Sequence, residues 1–517
     1  MLTEEAEIAF LDVREHGQYG EGHPFFSVHV GYSTIEVEVP LLVPRKDVTV
    51  VVMDDGDGIS KRAAHALQKL GYTNVMVLED GVQGWAAAGY TLFKGVNVPS
   101  KTFGELVEHQ CKTPSLSADE LQLRLERGEP TLVLDGRPKD EYFKMSIPSA
   151  RSCPNAELAY RIPALAIDPE ATLVINCAGR TRSIIGAETL RQCGFSNPIL
   201  ALRNGTQGWA LSGFNLDHNI RSEPLPLVDS ETRVQAAKTA KNLIKRLALP
   251  QISPKMLKTW EKDPQRTTYI FDVRTEEEFS AGHWPGAQHA PGGQLVQATD
   301  QYLAVRNARI VLCDDSGLRA ATTAMWLRGM GHDATILEGD VSQAMTSKVN
   351  YAVANIIVDA TLVSPEAAFG KVADGAILFD ASRSQNYRRG HARGSIWITR
   401  SQVTSLDCRP NDTIIVTGQE KSLILGVVSD FLELGFTNMF WFEGSPEIWS
   451  RVGFEIEQTP NCPTDQECID FLFFVHDRHD GNMDAARRYL EWETGLLAQL
   501  DDQERGIFQP PQSNLTL

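Results

Sequence analysis

Residues 272–287 read D-V-R-T-E-E-E-F-S-A-G-H-W-P-G-A, directly after the apolar pair Ile270-Phe271. An apolar run that stops at an Asp reads as a buried strand reaching its polar end. The same plan stands at 9–15 (A-F-L-D-V-R-E), 132–138 (L-V-L-D-G-R-P) and 377–383 (I-L-F-D-A-S-R). An aromatic follows each time: Tyr19, Tyr142, Phe279 and Tyr387. Gly-His comes next at 22–23, 282–283 and 390–391, whereas the second pass has Met145-Ser146. Four copies of one pattern make this a repeat protein before any single residue is interpreted.

Further on, each copy has a second apolar strand: V-T-V-V-V-M (48–53), A-T-L-V-I-N (171–176), A-R-I-V-L-C (308–313) and D-T-I-I-V-T (412–417). A short polar loop leads from it into a helical pattern that stops at Gly71, Gly194, Gly331 or Gly435. Glycine just past a last turn is a helix-ending signal. A third strand and an Asn-Gly, Asp-Gly or Glu-Gly turn close the copy, with Trp85, Trp209 and Trp449 soon after in three of them. Fully apolar strands alternating with helices predict parallel sheets covered on both faces. The expected fold class is therefore α/β, with four tandem domains, each a parallel sheet flanked by helices, and a helical tail. The expected boundaries are 1–98, 114–217, 252–347 and 361–457, a helix-bearing linker at 218–251 and a tail at 463–517. The first copy begins almost on its Asp strand and is expected to lack the helix that opens the others.

The helix-ending glycines set the register. Seventeen residues before them stand Asp54, Cys177, Asp314 and Gly418. Asp12 to Asp54, Asp135 to Cys177 and Asp272 to Asp314 are each 42 apart, and Asp380 to Gly418 is 38. Five places further on stand Ile59, Arg182, Arg319 and Leu423. Only the second loop, N-C-A-G-R-T-R-S (176–183), combines a thiol with cations. Cys177 falls at the carboxyl end of a parallel strand, where open α/β sheets bind ligands. The helix is expected to start near Ser183. Its N–H groups, its dipole, Arg180 and Arg182 favour negative charge, so a lowered thiol pKa and a bound anionic substrate are expected.

These motifs resemble the rhodanese family of sulfurtransferases. Residues 272–287 resemble its Asp-Val-Arg…Glu-Phe…Gly-His-Ile-Pro-Gly-Ala stretch, and C-A-G-R-T-R (177–182) resembles its six-residue active loop. The resemblance covers about four-fifths of the chain. It implies that Cys177 takes a sulfane sulfur from thiosulfate or a similar donor (mercaptopyruvate, a glutathione persulfide). The persulfide would then pass the sulfur to cyanide or a thiol. Ala178, Gly179, Arg180, Thr181, Arg182 and Ser183 would bind the substrate, and Asp54, Asp314 and Gly418 would mark loops without chemistry. No metal or organic cofactor is implied.

The same sequence admits other readings. C-D-D-S-G-L-R (313–319) has the Cys-x5-Arg spacing of cysteine phosphatases, but Asp314 and Asp315 would repel an anion, and the register sets Cys313 opposite Asn176, inside the strand. Cys193 closes the helix after Cys177, about 15 Å away along it, and is a poor second thiol; Cys153 is nearer in sequence but reads as structural. His476 and His479, or Cys462 and Cys468, lack the third and fourth ligands a zinc site needs. Arg388, Arg389 and Arg393 read as a solvated, ion-paired loop. Because three copies lack the cysteine, a non-catalytic scaffold is the main alternative. A net charge of −18 argues against nucleic acid and anionic membranes as partners. Eight scattered cysteines and an acidic N-terminus without a signal-peptide plan lead to a cytoplasmic expectation, with a homo-oligomer left open.

Overall fold

The computed structural model of the chain describes residues 6–165, 167–339, 346, 356–479 and 482–512. The apolar runs become strands of four or five residues because they are buried from both sides. In the second repeat the strands lie in the order Ser115–Leu116, Ile199–Leu202, Thr172–Asn176, Thr131–Asp135, Arg151–Ser152, and every neighbouring pair is parallel. The third repeat repeats that order with Gln251–Ile252, Asp333–Leu337, Arg309–Cys313, Thr268–Asp272 and Gln288–His289. So does the fourth, with Thr361–Leu362, Met439–Trp441, Ile414–Thr417, Ile377–Asp380 and Ile396–Trp397. The first repeat enters on Ile8–Asp12 and adds Val28–His29, Thr49–Met53 and Val75–Val77. Among the described residues it has no counterpart of the short strand and helix that open the other three. The expected α/β class of repeated parallel sheets holds.

Register decides where the chemistry falls. Asp135 pairs with Asn176, Asp272 with Cys313 and Asp380 with Thr417. The loop therefore opens one residue later, on Cys177, Asp314 and Gly418. Cys313 is a strand residue, fully buried among Leu257, Trp284 and Val311.

The opening motif has a mechanical role. Arg137 folds back on Asp135 with bonds of 2.9 and 2.7 Å and also donates to the Met145 carbonyl at 2.6 Å. Arg14 does the same between Asp12 and the Gly22 carbonyl, and Arg274 between Asp272 and the Gly282 carbonyl. A bidentate guanidinium thus ties the strand end to the loop eight residues on. The Gly-His imidazole stacks on the aromatic four residues before it: His23 on Tyr19, His283 on Phe279, His391 on Tyr387. The second repeat has Met145-Ser146 at that place and lacks this stack. In the fourth, Ser382 replaces the arginine, and burial pushes the Asp380 carboxyl up to about 6.

The chain divides into two compact units. One comprises 1–8, 97–351 and 477–517, and so holds the second and third repeats, the linker and the end of the tail. Its helices include Val98–Cys111, Ser230–Leu247 in the linker and Met483–Gly495 in the tail. The other comprises 9–96 and 352–476 and holds the first and fourth repeats. Within that second unit Arg400 is buried between Asp430 and Glu36, and Tyr32 donates to Asp430 at 2.9 Å.

Two expectations need correction here. Arg388 is not solvated: it is buried, donating to the Pro463 carbonyl at 2.8 Å, because the start of the tail folds over it. Arg389 and Arg393 do face solvent, the latter paired with Glu455. The helix after Cys177 starts at Thr181, two residues earlier than expected, so Thr181, Arg182 and Ser183 form its first turn. Among the described residues no helix is long and apolar enough to cross a membrane. Residues 340–345 and 347 of the third repeat and the side chain of His479 lie outside the described residues.

Candidate functional site

Cys177 leaves the strand Thr172–Asn176 and opens the loop that ends in the helix Thr181–Gln192. The turn after the third strand anchors it. Thr206 N–H donates to the Cys177 carbonyl at 2.8 Å and Gln207 N–H to the Ala178 carbonyl at 3.2 Å. The Asn-Gly pair makes this possible, since Asn204 takes a positive φ of 62° that few residues tolerate. Val82 N–H holds the Asp54 carbonyl in the same way at 2.9 Å in the first repeat.

Two of the three loops that lack the cysteine show what this loop can hold. In the first repeat Asp54 takes the cysteine position and its carboxylate accepts from the N–H groups of Gly56, Gly58 and Ser60 at 2.9, 3.0 and 2.8 Å. In the third, Asp314 accepts from Asp315 N–H at 2.8 Å, from Arg319 N–H at 2.9 Å and from Arg319 Nε at 3.0 Å. The turn is an anion cradle, and these repeats fill it with their own side chain. In the fourth, Gly418 offers nothing to fill it.

The second repeat leaves the cradle to a thiol. Cys177 is 1% exposed. Burial raises its pKa above the ordinary value of 9; Arg182 and hydrogen bonding to Ser183 pull it down, and Glu493 pushes it up. The expected lowering is therefore overturned: desolvation outweighs the cations. Both arginines are already engaged. Arg182 makes a bidentate pair with Glu141 at 2.6 and 2.8 Å. Burial opposes ionisation of Glu141, yet Arg182 holds its carboxyl down at about 2. Arg180 donates to Glu105 at 2.6 and 2.9 Å and also to Glu108. Burial drives Glu105 up to about 7, with Arg180 pulling against it and Glu493 and Glu108 adding to the rise.

Glu105 and Glu108 come from Val98–Cys111, a helix in the stretch left between two expected domains. It packs so closely that a Cβ on Gly104 would stand 2.8 Å from Thr181 Cγ2. Glu493 comes from the tail helix and accepts from Thr181 Oγ1 at 3.0 Å. Sequence spacing marks none of these carboxylates, because each reaches the loop from another element. The surplus of acidic residues was the one trace of them. The first turn of the loop helix also lines a narrow cleft with Phe103, Asn155 and Trp326. Cys177 is not in its walls, so this is space behind the loop.

Burial raises the pKa of each of the other thiols weighed from the sequence. Cys153 is buried beside its strand, with its N–H on the Asp135 carbonyl at 2.8 Å and its thiol raised by burial. Cys193 caps the far end of the loop helix, its thiol pushed up by burial to about 12. Burial also raises Cys313, and nearby Asp272 adds to the rise. No group of three His, Cys, Asp or Glu among the described residues is placed to hold a metal.

Comparisons with known proteins agree with the repeats. The family model for the rhodanese-like domain matches residues 1–88, 117–212 and 253–345. The crystal structure of thiosulfate sulfurtransferase from Pseudomonas aeruginosa is similar at 37% identity and a TM-score of 0.89, covering 98% of this chain and 96% of that one. Uncharacterized protein YibN of Escherichia coli strain K12 is 32% identical over 95 residues, which is 18% of this chain and 66% of that protein. The fourth repeat lies outside the matched segments and has the same strand order as the second and third. The chain belongs to the rhodanese family.

Proposed function

We propose that the chain is a sulfurtransferase in which the second repeat alone carries sulfur, on Cys177. The observation that bears most weight is the shared cradle. The same turn accepts a carboxylate in the first and third repeats and presents a thiol in the second. A persulfide anion on Cys177 would meet the N–H groups that Asp54 and Asp314 meet in their own loops.

The donor is thiosulfate or another sulfane-sulfur anion. The Cys177 thiolate attacks the outer sulfur, the S–S bond of the donor breaks, and sulfite leaves with the electron pair. Arg182, Arg180 and the loop N–H groups of Ala178 to Ser183 offset the charge. An acceptor thiolate or cyanide then attacks the outer sulfur of the persulfide, and Cys177 departs as thiolate. An acceptor thiol gives up its proton to solvent or to Cys177.

Intact mass after incubation with thiosulfate tests this. The chain is expected to gain one sulfur atom, the Cys313→Ser variant to gain it equally, and Cys177→Ser to gain none. Sulfur that persists on Cys177→Ser would overturn the assignment. A chain that no donor loads would bring the scaffold reading forward.

A further inference from the structure

The first repeat leaves open a sheet edge that the other three cover. In the second repeat the outer side of Ile199–Leu202 is paired by Ser115–Leu116. Ala201 N–H donates there to the Pro114 carbonyl and Arg203 N–H to the Leu116 carbonyl, each at 2.9 Å. The helix that follows, Ala118–Glu126, buries Ala118 and Leu121 in one cluster with Trp209. Short strands at 251–252 and 361–362 cover the same edge in the third and fourth repeats. In the first repeat the equivalent strand, Val75–Val77, pairs with Thr49–Met53 and, among the described residues, with nothing on its other side. Val50 N–H donates to the Asn74 carbonyl and Leu78 N–H to the Val52 carbonyl, each at 2.9 Å. Asn74, Met76 and Leu78 thus bond the inner strand, and Val75 and Val77 turn their backbone N–H and C=O groups outward. The side chains are bare as well. Met76 is 39% exposed, Val77 38% and Tyr90 55%, and Trp85, the counterpart of Trp209, is only half-buried. The strand carries no Lys or Pro to block it. An open apolar edge of this kind is a template for another strand.

We propose that this edge joins a second copy of the chain, Val75–Val77 pairing antiparallel with the same strand of that copy about a two-fold axis at Met76. The outward groups set this register. Val75 of each copy exchanges both backbone bonds with Val77 of the other, and the two Met76 residues form the non-hydrogen-bonded pair between them. A two-fold axis perpendicular to the sheet keeps each face on its own side. Met76 corresponds to Leu200, which packs on the cluster that holds Trp209, so Met76, Trp85 and Tyr90 of both copies come together on one face. The helix Gly81–Ala87 of each copy then stands where the opening helix stands in the second repeat, against Gly205–Leu211. One partner thus supplies both a strand and a helix. The charges at the ends match. Glu79 falls opposite Thr73 of the second copy, whose N–H donates to the Lys46 carbonyl at 3.0 Å. An exposed carboxylate meets a lysine in this way on each side of the axis, and the neighbouring Asp47 is already paired with Arg45. The contact is self-complementary and closed, so it stops at a dimer. Two-residue strands cover this edge in the other repeats, so three residues with an apolar face are sufficient length.

Sedimentation equilibrium of the full chain tests the pairing and is expected to give twice the chain mass. Val77→Pro removes an outward N–H and leaves the inner ladder intact. Met76→Glu sets two carboxylates against each other on the axis. Each is expected to weaken the dimer at least tenfold, with circular dichroism showing that the variant is folded. Cys462→Ser removes the exposed thiol. In that background Met76→Cys is expected to link two copies through residue 76 on mild oxidation, because Cα atoms about 4.5 Å apart lie within disulfide reach. Peptide mass spectrometry locates the bond. A single-chain mass for the parent would overturn the proposal, as would a dimer that both edge variants leave intact or one that forms no bond between the two residues 76. A labelled synthetic peptide of residues 114–126, the segment that covers this edge in the second repeat, gives the last arm. A monomeric chain that binds the peptide, and loses it in Val77→Pro, would assign the edge to a strand of another protein instead of a second copy.

Discussion

Cys177 is a buried thiol whose surroundings oppose its ionisation. Desolvation raises its pKa above 9, and Arg182 recovers only part of the loss. Its alkylation by iodoacetamide is therefore expected to climb tenfold per pH unit through neutral pH, without a plateau below pH 9. A plateau at pH 7 or 8, followed by peptide mass spectrometry, would contradict this. Asp54 shows the opposite balance. Burial resists its charge, but the N–H groups of Ser60 and Gly56 outweigh burial and hold its pKa below the ordinary value. Asp54→Ala would leave those N–H groups without their acceptor, at a cost of about 2 kcal/mol. Because the folded pKa is depressed, this contribution is present above the unfolded pKa and fades as pH falls through the folded one. Urea titrations at pH 7 and pH 3 are expected to show a gap between parent and variant that narrows at pH 3. The cysteine, the two arginines and the aspartates in its place were legible from spacing. The thiol's burial was not, since a loop near charged residues reads as exposed until its neighbours are placed.

At the level of elements, the third loop, with Asp314 at the Cys177 position, serves packing. Arg319, fully buried, donates to Asp314 and Asp315 of its own loop and to Glu157 and Glu278. Glu157 lies on a helix of the second repeat, so the loop that corresponds to the Cys177 loop here joins two repeats within one unit. Arg319→Met would strand these carboxylates and is expected to cost about 3–5 kcal/mol, read from the denaturant midpoint. Burial and Asp314 hold Asp315 up at about 6, whereas Arg319 holds Asp314, which burial would raise, down at about 2. Removing Arg319 lets the carboxylates take up protons as the pH falls, so the deficit should shrink between pH 7 and pH 5. A deficit that is constant over that range would place its origin in lost packing rather than in stranded charge. Sequence register put Arg319 beside Asp314 but could not supply Glu157, 162 residues away. The helix Val98–Cys111 went unread for a related reason. Its Phe103 packs on Trp326 and Phe508 rather than on a sheet of its own, so it carries no repeat signature.

Across the whole molecule, four similar repeats differ in what stands at the Cys177 position: Asp54, Cys177, Asp314 or Gly418. Thiosulfate is accordingly expected to load one sulfur per chain, and the intact mass that tests Cys177 also gives this count. Two or more sulfurs would mean that a loop filled by its own carboxylate still reacts. The sequence by itself determined the repeated α/β plan, the register of each strand end and the single loop in which a thiol meets cations. These are local patterns: apolar runs bury, glycines end helices, and fixed spacings carry from one repeat to the next. Only the tertiary structure decided the charge state of the site and its shape. Glu105, Glu108 and Glu141 neutralise the loop arginines, and Glu493 arrives from the tail, 316 residues beyond Cys177. Coulomb interactions and desolvation depend on distance in space, so a string of residues cannot show which carboxylates will face a thiol.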